Sequence, residues 1–485
     1  MVKVVLKGHE EYYDVLDIVR IFYPLRDIDI EKEIKENGFY IVSEVDESAQ
    51  ELKVFIYSDG RIVKLEKRKI HEEVDKNLIR KILYETLRDF TGKESPWGTL
   101  TGIRPIKLVR RFLKQGYGKE EIVYILRKEY LLSRQKAELL VNIALNTMNL
   151  FKEDVKNKIS LYISIPFCPT RCSYCTFPSY SLSKYGDLIQ NYLNALKKEI
   201  RTIGEYFSKL GYSLYTIYIG GGTPTVLDGE KLSLLIEEIY GSFICEGIKE
   251  FTLEAGRPDT IDKNRLLTAQ KMGVNRISIN PQTMNKETLK RIGRSHSPED
   301  VIKAYYMARD MEFNNINMDL IIGLPGEDID DFSYTLEKIK EMKPDSLTVH
   351  SLSLKKTSDL RQKIAEGELI SLDIINQMSE LAQEFTFRMG MKPYYLYRQK
   401  FTLGNLENIG YSFPGYEGLY NILMIEDMQY IVALGAGSVS KFIDFNSDRI
   451  ERIDNAKDLQ TYIMRIDEMI ERKIKFFERN LSIEI

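Results

Sequence analysis

Cysteine, histidine and tryptophan are scarce in this chain of 485 residues, which has four cysteines, four histidines and a single tryptophan, Trp97. Four cysteines do not make a disulfide framework here, because three of them, at 168, 172 and 175, stand too close together to close long loops. The histidines (His9, His71, His296 and His350) are isolated, so no HxxxH pair exists for a closed structural zinc site. Nowhere do about 18 apolar residues follow one another, which excludes a membrane-spanning helix. Charge of neither sign dominates: Lys plus Arg is 69 against 72 for Asp plus Glu, a net charge of -3. With no long single-sign block, neither nucleic acid nor an anionic membrane is the expected partner. The first residues, MVKVVLKGHEEYY, carry charge and no signal-type apolar run, so the expectation is a cytoplasmic protein. Tandem repeats and low-complexity segments are lacking as well.

The length asks for two or three domains. Over residues 1–150, the β-like runs VKVVLKG, FYIVSEV, LKVFIYSDG and RIVKLEK precede helical patterns at about 74–90 and 119–150, which predicts a small α+β domain with a helical connector. Residues 155–355 carry six short apolar runs (SLYISI, YTIYIG, EFTLEA, NRISIN, INMDLIIG and SLTVHSL) separated by amphipathic helical segments. Such alternation predicts a parallel sheet flanked by helices, hence an α/β fold built on an open, partial (β/α)6 barrel. Residues 356–485 form an α/β extension with a helix near 368–390, a Tyr- and Gly-rich stretch at 394–421, the strand QYIVALGAG and a charged terminal helix. Its expected place is over the substrate.

Chemistry concentrates in SLYISIPFCPTRCSYCTFPSYS, where Cys168, Cys172 and Cys175 directly follow the first barrel strand. Three thiolates on a short loop can hold three irons of a four-iron cluster and leave the fourth open. Zinc competes for such a site, but it needs a fourth ligand that no second CxxC supplies. Pro166, Pro169 and Pro178 oppose a helix through the loop. Cys245 reads as a small core hydrophobe. After the second strand comes YIGGGTPT, whose glycines let backbone approach a ligand closely. Polar residues stand at further strand ends, Glu254, Gln282, Arg294 and Asp319, where barrel enzymes gather their sites.

The CxxxCxxC spacing with Tyr174 between the second and third cysteines resembles the radical S-adenosylmethionine superfamily. That resemblance implies a [4Fe-4S] cluster on Cys168, Cys172 and Cys175, with S-adenosylmethionine on the open iron, cleaved to a 5'-deoxyadenosyl radical. The core also resembles the oxygen-independent coproporphyrinogen III oxidase family, and most nearly its HemZ-type subgroup. The likeness extends through WGTLTGIRPIKLV (97–109), PYYLYRQK (393–400), ENIGYSFPGYEGLYNI and ALGAGSVSK. By that resemblance Tyr162, Gly221, Gly222, Thr223, Glu254, Gln282, Arg294 and Asp319 line the adenosylmethionine pocket, with Ser353 beside it. Two departures stand out. Phe177 replaces a fourth cysteine of the well-studied oxidases, and Ser164 replaces a histidine.

The resemblance implies oxidative decarboxylation of coproporphyrinogen III to protoporphyrinogen IX: hydrogen leaves a propionate β-carbon, carbon dioxide follows, and an external acceptor takes the remaining electron. A tetracarboxylate needs cationic and planar partners. Candidates are Arg171, Tyr395, Arg398 and Lys400, with Arg104 and Lys107 as a second pair or, equally, as a helix start after Pro105. Flavodoxin or ferredoxin is the expected electron donor and a monomer the expected state. Two alternatives stay open: a haem-binding chaperone of the same superfamily, and a radical enzyme acting on RNA through residues 1–150.

Overall fold

The structure, a computed structural model, describes all residues except 1, 24–27, 36, 71–74, 103, 149, 152–156, 354–370, 400–401, 446, 448 and 482–485; Lys400 therefore lies outside the described residues. The chain forms two compact units, residues 1–145 with 397–407, and 146–396 with 408–485.

In the first unit, strands β1 (Val2–Lys7), β2 (Ile28–Glu31), β3 (Phe39–Asp46), β4 (Glu51–Ser58) and β5 (Arg61–Lys69) form a sheet in the order β2-β1-β3-β4-β5. β1 is parallel to β2 and β3, while β3, β4 and β5 run antiparallel. Alternate residues Val2, Val4, Val54 and Ile56 point to one face and meet Val15, Ile18, Val19 and Phe22 of helix Tyr12–Phe22 and Ile79, Ile82, Leu83 and Leu87 of helix Lys76–Thr91. The second helix starts where the Asp75 carboxylate accepts the Asn77 N–H and stops at left-handed Gly92. A helix does begin after Pro105 (Ile106–Lys114), and it takes in Lys107; helices Lys119–Glu129 and Arg134–Met148 follow. The four-residue β2, IDIE, has too short an apolar pattern to be seen in the sequence.

The second unit is built on an 11-stranded sheet. The six expected barrel strands are β6 (Lys158–Ile165), β9 (Ser213–Gly221), β10 (Glu250–Glu254), β11 (Arg276–Ser278), β12 (Ile316–Ile322) and β13 (Ser346–Ser351); two-residue strands β7 (Phe167–Cys168) and β8 (Tyr180–Ser181) frame the cysteine loop. The later strands are β14 (Lys392–Arg398), β15 (Glu407–Ser412), β16 (Ile431–Leu434), β17 (Val439–Asp444) and β18 (Arg449–Asp454), and the order is β14-β15-β13-β12-β11-β10-β9-β6-β16-β17-β18. The six strands are mutually parallel. QYIVALGAG adds a seventh, β16, parallel to β6, and β17 and β18 continue from it antiparallel. The extension thus lengthens the barrel sheet at both ends, and among the described residues the sheet stays open. Helices such as Ile189–Lys209, Gly229–Ser242 and Ile329–Met342 lie between the strands, and the last two start at side-chain caps, Asp228 and Asp328.

The segment after β15 plugs the barrel at the N-terminal ends of its strands. At the start of β10, the buried Glu250 carboxylate accepts the backbone N–H groups of Leu419 (2.5 Å) and Tyr420 (3.3 Å), capping helix Leu419–Glu426. At the start of β11, Arg276 donates to Tyr416 O (3.1 Å) and Ser346 Oγ (2.9 Å). The plug carries Tyr420 into the barrel, where its ring stacks on Tyr218 at 4.6 Å and on Tyr162 at 6.2 Å.

Candidate active site

The cysteine loop leaves β6 and is bound at both ends. Gly222 N–H donates to Ile165 O and Thr223 N–H to Phe167 O, both at 2.8 Å, so YIGGGTPT runs directly under the loop. Gly222 has to be glycine, since a Cβ there would lie 2.6 Å from Phe167 O and 3.0 Å from Cys168 Sγ. On the far side, Ser173 N–H donates to Ile292 O (3.0 Å) and the Thr170 hydroxyl to Gly293 O (3.1 Å).

Every cysteine of the loop receives a donor. The Thr223 hydroxyl points at Cys168 Sγ (3.4 Å), the Arg257 guanidinium at Cys172 Sγ (3.7 Å) with Arg294 also reaching Cys172, and the Phe177 N–H at Cys175. Among the described residues no three His, Cys, Asp or Glu side chains gather around one metal-ion position. A four-iron cluster makes no such demand, because each thiolate binds a different iron. Donors on all three sulfurs fit thiolates that hold an iron–sulfur cluster.

Of the polar residues expected at strand ends, Glu254 closes β10 and Gln282 follows β11, whereas Asp319 lies in the middle of β12 and Arg294 follows the helix Lys286–Arg291. Arg294 is 8% exposed and donates to Gly256 O (3.0 Å), Asn280 O (2.7 Å) and the Tyr174 hydroxyl (3.0 Å), joining the ends of β10 and β11 to the loop. The Glu254 carboxylate accepts the Tyr218 hydroxyl (2.6 Å); burial pushes this carboxyl up to about 7, with nearby Asp319 adding to the effect. Burial would raise the Asp319 carboxyl too, but His350, 3.6 Å away, and the Asn317 amide (2.7 Å) overcome it and hold Asp319 below the usual range. Gln282 adopts φ 67 in a bridge to β12, with its N–H on Asp319 O (2.9 Å). Its side-chain Oε1 is buried without a protein partner, which fits a ligand with a donor. Tyr162, from the middle of β6, stacks against Tyr218 at 6.0 Å. Ser353, just past β13, is half-buried.

Of the described substrate candidates, Arg171 and Tyr395 belong to the second unit and Arg398 to the first. Arg171 is exposed on the cysteine loop. Tyr395 is 5% exposed, and its ring fills the space a Cβ would need at Gly410. Arg398 belongs to the first unit, 3% exposed, with its guanidinium over the Trp97 ring (4.9 Å) and bonded to Leu100 O and Asn405 O (2.9 Å). Its two Nη atoms serve these backbone carbonyls, while Nε is buried without a partner. Cys245 is half-buried, its thiol directed at Phe243 O (3.4 Å).

Sequence reasoning missed Arg257, His296, His350 and Tyr420. Arg257 had a signal, a cation between Gly256 and Pro258 right after a strand. His296 is buried with neither ring nitrogen partnered; burial first, then Arg294 and Arg257, push it down to about 3, so it stays neutral.

Comparison with known proteins agrees with this geometry. Residues 162–339 match the model of the Radical SAM superfamily. Over 409 residues, 83% of this chain and 81% of its relative, the sequence is 43% identical to the oxygen-independent coproporphyrinogen-III oxidase-like protein HemZ of Bacillus subtilis (strain 168). The chain belongs to the HemZ-type family of radical SAM proteins. It is also 30% identical to the heme chaperone HemW of Escherichia coli (strain K12), over 61% of this chain and 72% of HemW. The fold matches coproporphyrinogen III oxidase (HemN) from Escherichia coli with a TM-score of 0.54 at 23% identity, covering 67% of this chain and 73% of that one. Membership of the HemZ-type family brings the superfamily's cofactors, a [4Fe-4S] cluster and S-adenosylmethionine. No helix among the described residues is long and apolar enough to cross a membrane.

The HemZ-type chain also explains one departure noted above. Ser164 is 5% exposed between two glycines: a Cβ at Gly221 would lie 2.9 Å from Ser164 Oγ, and one at Gly435 would lie 2.6 Å from Ser164 O. Its hydroxyl donates to Ala436 O (3.0 Å). The ALGAG turn after β16 thus packs directly against Ser164.

Proposed function

We propose that this HemZ-type protein is an oxygen-independent coproporphyrinogen III oxidase, which decarboxylates two propionate side chains of its substrate to give protoporphyrinogen IX. The observation that carries the reading is the cysteine loop with a donor on every sulfur, set at the strand ends of a chain 43% identical to HemZ over 83% of its length. Cys168, Cys172 and Cys175 hold the cluster in this reading. Tyr162, Gly221, Gly222, Thr223, Glu254, Gln282, Arg294, Asp319 and Ser353 surround S-adenosylmethionine. The pair supplies, when bound, one-electron chemistry able to remove hydrogen from an unactivated carbon. The protein's share is placement: Gly222 admits backbone beside Cys168, Glu254 and Asp319 offer acceptors for ligand hydroxyl or ammonium groups, and the plug around Tyr420 fills the barrel interior. Arg171 is the candidate for a substrate carboxylate. The electron donor is proposed to be flavodoxin or ferredoxin, and the working form a monomer in the cytoplasm.

The test is anaerobic: reconstituted protein, coproporphyrinogen III, S-adenosylmethionine and a reductant, with products followed by mass. Loss of two carbon dioxide units is expected. Tight haem binding without any loss would overturn this reading in favour of a haem chaperone, the alternative that the 30% identity to HemW supports. Cofactor cleavage that survives Cys172→Ala would reject the cluster assignment.

A further inference from the structure

Two guanidinium groups converge on one sulfur of the cysteine loop, and they are not equivalent. Arg294 donates from its Nη atoms to Gly256 O, Asn280 O and the Tyr174 hydroxyl as well as reaching Cys172, and its Nε is left without a partner. Arg257 is 3% exposed and makes a forked pair with Asp259, Nε to Oδ1 at 3.0 Å and Nη2 to Oδ2 at 2.9 Å. The fork fixes the plane of the guanidinium. Its remaining nitrogen, Nη1, then faces the loop and reaches Thr170 Oγ1 (3.2 Å), Thr170 O (3.4 Å) and Cys172 Sγ (3.7 Å). Asp259 itself is set by the turn Pro258–Thr260, where the Thr260 hydroxyl donates to Arg257 O (2.8 Å).

The charges near the loop do not balance within the protein. Two buried guanidinium groups, Arg257 and Arg294, face a single ion-paired carboxylate, Asp259, and the adjacent buried His296 has no partner for either ring nitrogen. Among these buried groups the surplus is one positive charge beside Cys172; exposed Arg171 on the loop adds to it, and exposed Asp300 acts against it near His296. Three thiolates on an oxidised four-iron core of charge 2+ carry a net single negative charge, and one added electron makes it two. A fixed cation with an N–H on a ligating sulfur stabilises the more negative state and raises the reduction potential.

We propose that Arg257, held by Asp259, is a charge-setting residue for the iron–sulfur centre: through Cys172 Sγ it raises the potential at which the centre accepts one electron from an external donor. No bond forms or breaks in this step. The inference rests on the cluster reading of the three cysteines, and it assigns a role to a residue between β10 and its following turn that the pocket residues do not include. Arg257 acts through the sulfur, so its signature is a potential, with turnover following from it.

Wild type, Arg257→Met, Arg257→Lys and Asp259→Asn are reconstituted anaerobically, assayed for iron and sulfide, and titrated with dithionite without S-adenosylmethionine while the reduced centre is followed by electron paramagnetic resonance. At the wild-type midpoint, the reduced-to-oxidised ratio in Arg257→Met is expected to fall about tenfold, a shift of ~59 mV for one electron. Arg257→Lys is expected to shift less, and Asp259→Asn, which removes a negative charge and keeps Arg257, to shift the other way. Arg257→Met and Asp259→Asn both titrating at the wild-type midpoint would overturn the proposal. Should Arg257→Met not assemble a centre, Asp259→Asn decides alone: an upward shift supports the role and an unchanged midpoint overturns it. Wild type without iron and sulfide would remove the cluster reading itself and this proposal with it, an outcome distinct from unshifted midpoints.

Discussion

At Gly222 the single carbon that separates alanine from glycine has nowhere to go. It would meet Phe167 O at 2.6 Å and Ile165 O at 2.9 Å, both fixed by the backbone bonds that seat the loop, and Cys168 Sγ at 3.0 Å. Gly222→Ala is therefore expected to cost roughly 1–3 kcal/mol through overpacking and to cut the iron taken up on reconstitution several-fold. Full iron content in that variant would show that the loop tolerates another path. A second buried residue makes a pH prediction. Glu327 is 4% exposed, accepts the Thr283 hydroxyl at 2.5 Å, and leaves Oε2 unpartnered; burial pushes its carboxyl up to about 7 from 4.5. Because the folded value lies above the unfolded one, the protonated carboxyl favours folding at acid pH. That contribution is complete below about 4.5 and is lost as pH rises to about 7, by roughly 3 kcal/mol. Glu327→Gln removes this slope, so denaturant titrations at pH 5 and pH 8 should show a smaller difference for the variant than for wild type. Equal slopes would refute the assignment.

Elements differ in how plainly the sequence announces them. The six barrel strands are legible because each is a short apolar run between helical segments, and polar residues such as Glu254 at the end of β10 and Asp319 within β12 stand out against that background. Strand β16 is legible as a strand, but its pairing beside β6 is not: its sequence does not say which strand Ile431 and Val432 will meet, in fact Ser160 and Leu161. The plug helix Leu419–Glu426 escapes notice because it is eight residues long, apolar nearly all round, and hidden in a Tyr- and Gly-rich stretch. Its anchor, Glu250, is 169 positions away in the chain, a long-range partner that no local pattern contains. Arg257 escapes for the same reason, since its meaning depends on Cys172, 85 positions earlier. Glycines show the converse, because only the surroundings tell which are required. Gly241, in helix Gly229–Ser242, has nothing within 4 Å of a built Cβ and no positive φ. Gly241→Ala is expected to stabilise the protein by about 0.5–1 kcal/mol, read as a raised denaturation midpoint. A lowered midpoint would mean that the site is tighter than the geometry indicates.

On the scale of the whole chain, the backbone leaves the second unit at Tyr397, contributes residues 397–407 to the first, and returns at Asn408. Buried charge holds this excursion within the first unit. Glu407 accepts the Lys136 ammonium (2.6 Å) on one oxygen and the Trp97 indole N–H (2.6 Å) on the other, with side chains 1% and 6% exposed for Glu407 and Lys136. Burial alone would raise the Glu407 carboxyl; Lys136 first and then Trp97 overcome it and hold the carboxyl below its usual range. A depressed carboxyl stabilises above its unfolded value and loses that contribution as pH falls through the folded one, so the excursion is expected to loosen in acid. Glu407→Leu strands a buried ammonium and is expected to cost ~3–5 kcal/mol. Lys136→Met with Glu407→Leu removes both charges and should recover much of that loss, short of about 1–3 kcal/mol for the indole donor left without an acceptor. Trp97 is the only tryptophan in the chain, so its emission during denaturant unfolding reports on the first unit at the very residue that touches Glu407. If the double variant proved no more stable than Glu407→Leu alone, the pair would not be what binds residues 397–407 to the N-terminal fold, and the stacking of Arg398 on Trp97 would have to carry that role.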